Sequence, residues 1–160
     1  MTEIADEVTV DCTSGEAASY LAGFFEQLGA PGGGGAVLTL CIPLGDASIN
    51  REVIAKITAP KGSPGYRVMG VTWSPKDGGP YPDFDGSLSL SDLSASSSKL
   101  VLRGTYGPPG GIVGAAFDAV VGRRMASASL KALLATLKAA IEAARTQASA
   151  VAATYLPTYE

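Results

Sequence analysis

From Ala36 to Tyr106 the chain offers one strand-length apolar segment after another, with no helical spacing between them. A single long helical pattern then takes over, from about Gly114 to Ala148. No other feature constrains the fold as tightly. Consecutive strands joined by short turns pair antiparallel, because parallel neighbours need long crossover connections. A sheet built this way has a face to bury, and one long amphipathic segment remains to cover it.

The strand segments carry their own facing. "AVLTLCIPL", Ala36 to Leu44, is mostly apolar. "NREVIAKITA", Asn50 to Ala59, places Arg51, Val53, Ala55 and Ile57 on one side. "GYRVMGVTWSP" does the same for Arg67, Met69, Val71 and Trp73. "SLSLSDL" and "KLVLRGTY", linked by "SASSS", align Leu88 with Leu90, and Leu100 with Leu102, Gly104 and Tyr106. Before them, "EVTVDCT" reads as a strand with Val8, Val10 and Cys12 on one face. "SGEAASYLAGFFEQLGA" then changes to helical spacing. Thr13 or Ser14 can cap it, Tyr20, Phe24, Phe25 and Leu28 give its packing face, and Gly29 and Pro31 stop it. "PKGSPG" reads as a turn, and "KDGGPYPDFDG", Lys76 to Gly86, as a loop rich in aromatics. In the C-terminal pattern Leu130, Leu134, Leu137 and Ile141 form a stripe, with Arg124, Lys131, Glu142 and Arg145 on the other side. The expectation is a single α+β domain over 1–160. Its antiparallel sheet curls around the C-terminal helix, and the N-terminal helix closes one end.

Composition removes several function classes. The chain has no histidine, so Ser-His-Asp and Cys-His nucleophiles and the commonest metal ligand are missing. Cys12 and Cys41 are two thiols in apolar surroundings, too few for a structural zinc. Buried free thiols are expected, with a disulfide open if their strands are neighbours. A formal charge of −3 argues against a nucleic-acid partner. Acids crowd residues 1–60 and bases crowd 99–145, which reads as two solvated faces. The sequence shows neither a leader pattern nor a membrane span, which together with free thiols predicts the cytoplasm. It leaves a homodimer open.

The junction "GTYGPPGGIVG", Gly104 to Gly114, lies between a strand and a helix, where a phosphate loop would lie. It lacks the Gly-x-Gly pair of a dinucleotide loop, and no lysine follows as in a Walker loop. Pro108 and Pro109 also remove two N–H donors that a phosphate would use. The segment reads as a hinge, and no cofactor is expected.

The stretches "WSPKDGGPYPDFDGSLSL" and "KLVLRGTYGPPGGIVGAAFDAVVGRRMA", with the helix beyond, resemble the START-like superfamily of Bet v 1-like, helix-grip (SRPBCC) proteins. More narrowly, they are similar to bacterial polyketide cyclase/dehydrase-like members. The resemblance implies a strongly curved antiparallel sheet of about seven strands wrapped around a long C-terminal helix, with an apolar cavity between them. Members bind lipids, sterols, polyketides or plant metabolites, and some are cyclases. The fold itself fixes no reaction.

Such a cavity needs an apolar lining with a few convergent polar groups. On this sequence the candidate ligand-binding residues are Met69, Val71 and Trp73 on one strand, with Leu88, Leu102 and Tyr106 on the next two. Tyr81 and Phe84 join them from the aromatic loop, and Phe117, Val121 and Met125 from the helix. Trp73 and the tyrosines add hydrogen-bonding edges suited to an amphipathic ligand. Arg51, Arg67 and Arg103 are each inward or outward as local geometry dictates, outward being expected for Arg103 unless a bulge near Gly104 turns it. Asp83, Asp85 and Asp118 are the available carboxylates; the loop pair Asp83 and Asp85 reads as solvated, and Asp118 as favouring the positive end of the helix dipole. The leading function is binding of a small apolar or amphipathic molecule. The alternatives are a polyketide cyclase/aromatase-like enzyme using the same cavity, and a protein-interaction or stress-regulator module without a ligand.

Overall fold

A computed structural model of the chain describes residues 2–29, 35–44, 46–76, 83–107 and 119–154. Its elements run β1 (Thr2–Val10), α1 (Ser14–Leu28), β2 (Ala36–Leu44), β3 (Ala47–Ile57), β4 (Lys61–Ser63), β5 (Tyr66–Pro75), β6 (Asp83–Ser94), β7 (Ser97–Gly107) and α2 (Ala119–Thr154). The seven strands form one antiparallel sheet in the order β1-β7-β6-β5-β3-β2, with β4 added beside β5. This is the α+β helix-grip architecture expected from the segment order.

Strong curvature follows from which strands the helix touches. α2 packs along β1 and along β2, the two opposite edges of the sheet. Laid flat, those edges would stand about 24 Å apart at roughly 4.8 Å per strand. A helix about 10–12 Å across cannot reach both. The sheet therefore curls around α2, and its central strands β5 and β6 stand off from the helix backbone.

Alternation along each strand sends one set of side chains into this concavity. Val10, Leu38, Leu40, Val53, Leu90 and Leu100 are all buried there. From α2 the stripe Leu130, Leu134, Leu137 and Ile141 meets them, joined by Ala126 and Leu133.

The N-terminal helix sits differently from its expected facing. Ala17, Ala18, Leu21 and Phe25 are buried, Tyr20 and Phe24 are only partly covered, and Leu28 is 44% exposed. The two alanines let the helix approach closely, so it turns that face inward and carries Tyr20 and Phe24 on its flank. Thr13 is the N-cap. Its hydroxyl oxygen accepts from the Glu16 N–H at 3.3 Å. The Ser14 N–H donates to Asp92 Oδ1 at 2.6 Å and ties the helix start to the end of β6. The Ser14 N–H holds the Asp92 carboxyl below the usual carboxylate range. α1 thus closes the end of the interior nearest Asp92.

Two turns differ from the reading by sequence. The "PKGSPG" segment contains the short strand β4, which continues the edge of β5 where β3 leaves it. The change-over occurs at Gly70. Its N–H donates to Thr58 Oγ1 at 2.7 Å, and its O accepts from Thr58 N–H at 3.0 Å. The other difference is β6, which begins at Asp83, so "DFD" belongs to a strand and not to a loop. Cross-strand pairing of Phe84 with both Trp73 and Tyr106 extends the ladder through it.

Cys12 is a free, buried thiol, so no disulfide joins it to Cys41. Cys12 follows β1 and Cys41 lies on β2, the two edge strands of the sheet order. Burial, and then the nearby Glu16 charge, push the Cys12 thiol up. The hinge expected at residues 108–114 lies outside the described residues.

Candidate functional site

The concave face of β5, β6 and β7 brings together most of the side chains singled out by sequence, in cross-strand rows. One row runs Ala55, Trp73, Phe84, Tyr106. The next runs Val71, Gly86, Gly104, Ile4. The third runs Met69, Leu88, Leu102, Asp6. Met69, Val71, Trp73, Phe84, Leu88, Leu102 and Tyr106 are all at most 5% exposed. Met125 of α2 is partly buried against the same core. Tyr81 and Phe117, and the side chain of Val121, lie outside the described residues.

The middle row explains the shape of the first. Gly86 and Gly104 face each other with no side chains, and the Phe84 ring lies over both. Its Cζ is 2.8 Å from where a Cβ on Gly86 would stand and 2.7 Å from one on Gly104. The same hypothetical Cβ atoms would collide with the Arg103 and Asp85 carbonyl oxygens of the facing strands. The two backbones therefore approach closely, and the glycines make the seat that Phe84 occupies. Trp73 stacks on Phe84, with ring centroids 4.2 Å apart and planes 14° from parallel. The sequence pointed to Gly104 only as a bulge candidate. The pairing is in fact continuous across it, and the register shift lies between Asp92 and Ser94.

One polar group in this wall stands alone. The Trp73 indole Nε1 is buried and has no hydrogen-bond partner among the described residues. A buried donor left unpaired costs about 1–3 kcal/mol relative to one that is satisfied. Buried polar groups are rarely left so in native proteins, and each exception calls for an explanation.

The charged candidates do not converge here. Arg103 and Arg51 are exposed. Arg67 starts on the inner face, but its guanidinium donates to the carbonyl oxygens of Ser63 and Tyr66 and so braces the β4–β5 turn. Asp85 is exposed, Asp83 is half-buried at the start of β6, and Asp118 lies outside the described residues. The carboxylate that sequence reasoning passed over is Asp6. It is half-buried on the inner face of β1 between Ile4 and Val8, and its Oδ1 accepts from the Glu7 N–H at 2.8 Å. Extending the Val8–Val10 alternation backward by one step would have found it. Among the described residues no helix is long and apolar enough to cross a membrane.

No family model and no curated protein sequence matches the chain. Solved structures do. The chain is similar to the Zhui aromatase/cyclase from Streptomyces sp. R1128, with a TM-score of 0.55 and 16% identity, over 92% of this chain and 95% of that one. It is also similar to a START superfamily protein from Mycobacterium smegmatis, with a TM-score of 0.52 and 13% identity, over 88% of this chain and 97% of that one. At these identities the likeness is one of fold.

Proposed function

We propose that this chain, START-like and helix-grip in its fold, binds one small apolar or amphipathic molecule against the concave face of β5, β6 and β7. The observation that carries this reading is the way α2 grips the sheet. The helix packs on the two edge strands and stands off from β5 and β6. The face it stands off from is lined by Met69, Trp73, Phe84, Leu88 and Leu102. α1 closes the interior near Asp92, about 26 Å along β6 from Phe84 at roughly 3.3 Å per residue. The ligand end is therefore the Trp73 end. Burial of apolar ligand surface there supplies affinity at about 25 cal/mol per Å² before ordering costs.

Trp73 is the only tryptophan in the chain, so its fluorescence reports this one position. Titration with a panel of fatty acids, sterols and aromatic polyketides tests the reading. A saturable change in emission with one class is the expected result. No change across the panel would overturn it and would favour a protein-interaction module.

A cyclase-like use of the same interior draws on the aromatase/cyclase neighbour and on one local observation, the inner-face carboxylate of Asp6. General acid–base work needs such a group facing the ligand. Turnover of a linear poly-ketone that Asp6→Asn abolishes, with binding kept, would support this second reading. Binding without turnover supports the first.

A further inference from the structure

The unpaired indole N–H of Trp73 narrows the chemistry of the ligand, on the premise that the concave face is a ligand site. We infer that the ligand is a flat, uncharged molecule carrying a carbonyl-type oxygen, which accepts a hydrogen bond from Trp73 Nε1.

The described side chains beside Trp73 on the inner face are Ala55, Val71, Pro75 and Phe84, none of which offers an acceptor. Strand carbonyls around it are turned to their ladder partners, as pairing runs unbroken from Ala55–Trp73 through Trp73–Phe84 to Phe84–Tyr106. Among the described residues the donor is buried with no partner, and a bound molecule would supply the acceptor that they do not. Flatness follows from the wall. Trp73 lies nearly parallel on Phe84, which covers one face of the indole, and a flat ring would continue that stack on the other side, next to the small Ala55.

Neutrality follows from the cations. Burying an anion requires a paired charge. Among the described residues Arg51, Arg103, and Arg123, Arg124 and Lys131 of α2 are exposed, Lys76 pairs with Glu52, and Arg67 is engaged with the Ser63 and Tyr66 carbonyls at the far end of β5. A single indole N–H can satisfy a ketone or similar oxygen, but it cannot compensate a carboxylate. The structure thus favours a carbonyl-bearing ring system over a fatty acid.

Fluorene and 9-fluorenone test this directly, since they match in size and shape and differ in a methylene against a carbonyl. Calorimetry on the full chain should show fluorenone binding about tenfold more tightly, the scale of one rescued buried donor. Fluorene-9-carboxylate should bind no better than fluorene. The single tryptophan gives a single indole resonance in a ¹⁵N–¹H spectrum. Fluorenone should move its proton downfield, and fluorene should not. Trp73→Phe should bring the two affinities together. If that variant does not fold, the wild-type indole resonance decides alone. Equal affinities for the pair, or a carboxylate that binds best, would overturn this inference and leave the binding site standing. If neither compound binds while longer lipids do, flatness is wrong. If nothing binds, the site itself falls.

Discussion

Replacing Phe84 by alanine removes the ring that joins the aromatic wall to its glycine seat. Phe84 is 2% exposed and stacks on Trp73. Truncating a buried Phe typically costs about 3–5 kcal/mol, made up of lost transfer energy and a residual cavity. The cost here should fall in the upper part of that range. Beneath the ring lie Gly86 and Gly104, which have no side chains to relax into the hole. About 0.5–1.5 kcal/mol of aromatic pairing is lost as well. Against a total stability of about 5–15 kcal/mol, this is a large fraction. For a chain of this length each kcal/mol moves the melting point by about 2–4 °C. A fall of roughly 10–20 °C is expected, or an equivalent drop in the urea midpoint. Trp73 emission, read through the same unfolding curve, should shift in the folded baseline because its stacking partner is gone. A loss below about 1 kcal/mol, with that baseline unchanged, would show that Phe84 is not packed against Trp73. The description of the wall would then be wrong.

Further outcomes follow from other parts of the fold. The Asp92 carboxyl titrates below its unfolded value, so the ionised form is favoured in the folded chain. Its contribution is complete above the unfolded value of about 3.9 and disappears as pH falls through the lower folded value. Asp92→Asn should therefore lower stability at neutral pH and flatten the acid limb of a stability-against-pH curve; an unchanged limb would refute the Ser14 link. Gly23 and Gly104 should respond oppositely to alanine. A Cβ at Gly23 of α1 meets nothing within 4 Å, so Gly23→Ala should stabilise by about 0.5–1 kcal/mol in urea unfolding. Gly104→Ala drives a Cβ to within 2.5 Å of Gly86 Cα, and it should destabilise by at least the ~1–3 kcal/mol of ordinary overpacking. Equal effects at the two glycines would remove the close approach of β6 and β7.

Much of this architecture was legible because period-2 and period-3.6 patterns report burial directly. Met69, Val71 and Trp73 alternate cleanly and are all buried, as are Leu130, Leu134, Leu137 and Ile141 of α2. Trp73 was readable as a polar-edged ring on the inner face, but not its unpaired state, because that depends on which residues lie across the strand. The Phe84 seat was hidden for a similar reason. Gly86 and Gly104 are 18 residues apart and acquire meaning only through the β6–β7 register. "DFD" read as loop because proline and glycine precede it, yet pairing with two neighbouring strands outweighs the local turn chemistry. The α1 face differs from its expected facing because Ala17 and Ala18 allow the closest approach, which leaves Tyr20 and Phe24 partly covered on the flank. Arg67 shares a face with Trp73, but its length lets the guanidinium reach back to the Ser63 and Tyr66 carbonyls.

Native mass spectrometry of the gently purified full chain measures occupancy of the concave face most directly. Bound to one flat carbonyl-bearing molecule, the 160-residue chain should carry a single, defined added mass. That mass should leave on mild activation, and 9-fluorenone supplied to the emptied chain should add its own mass once. A bare chain that accepts no small molecule at any ratio would contradict a ligand space beside Trp73.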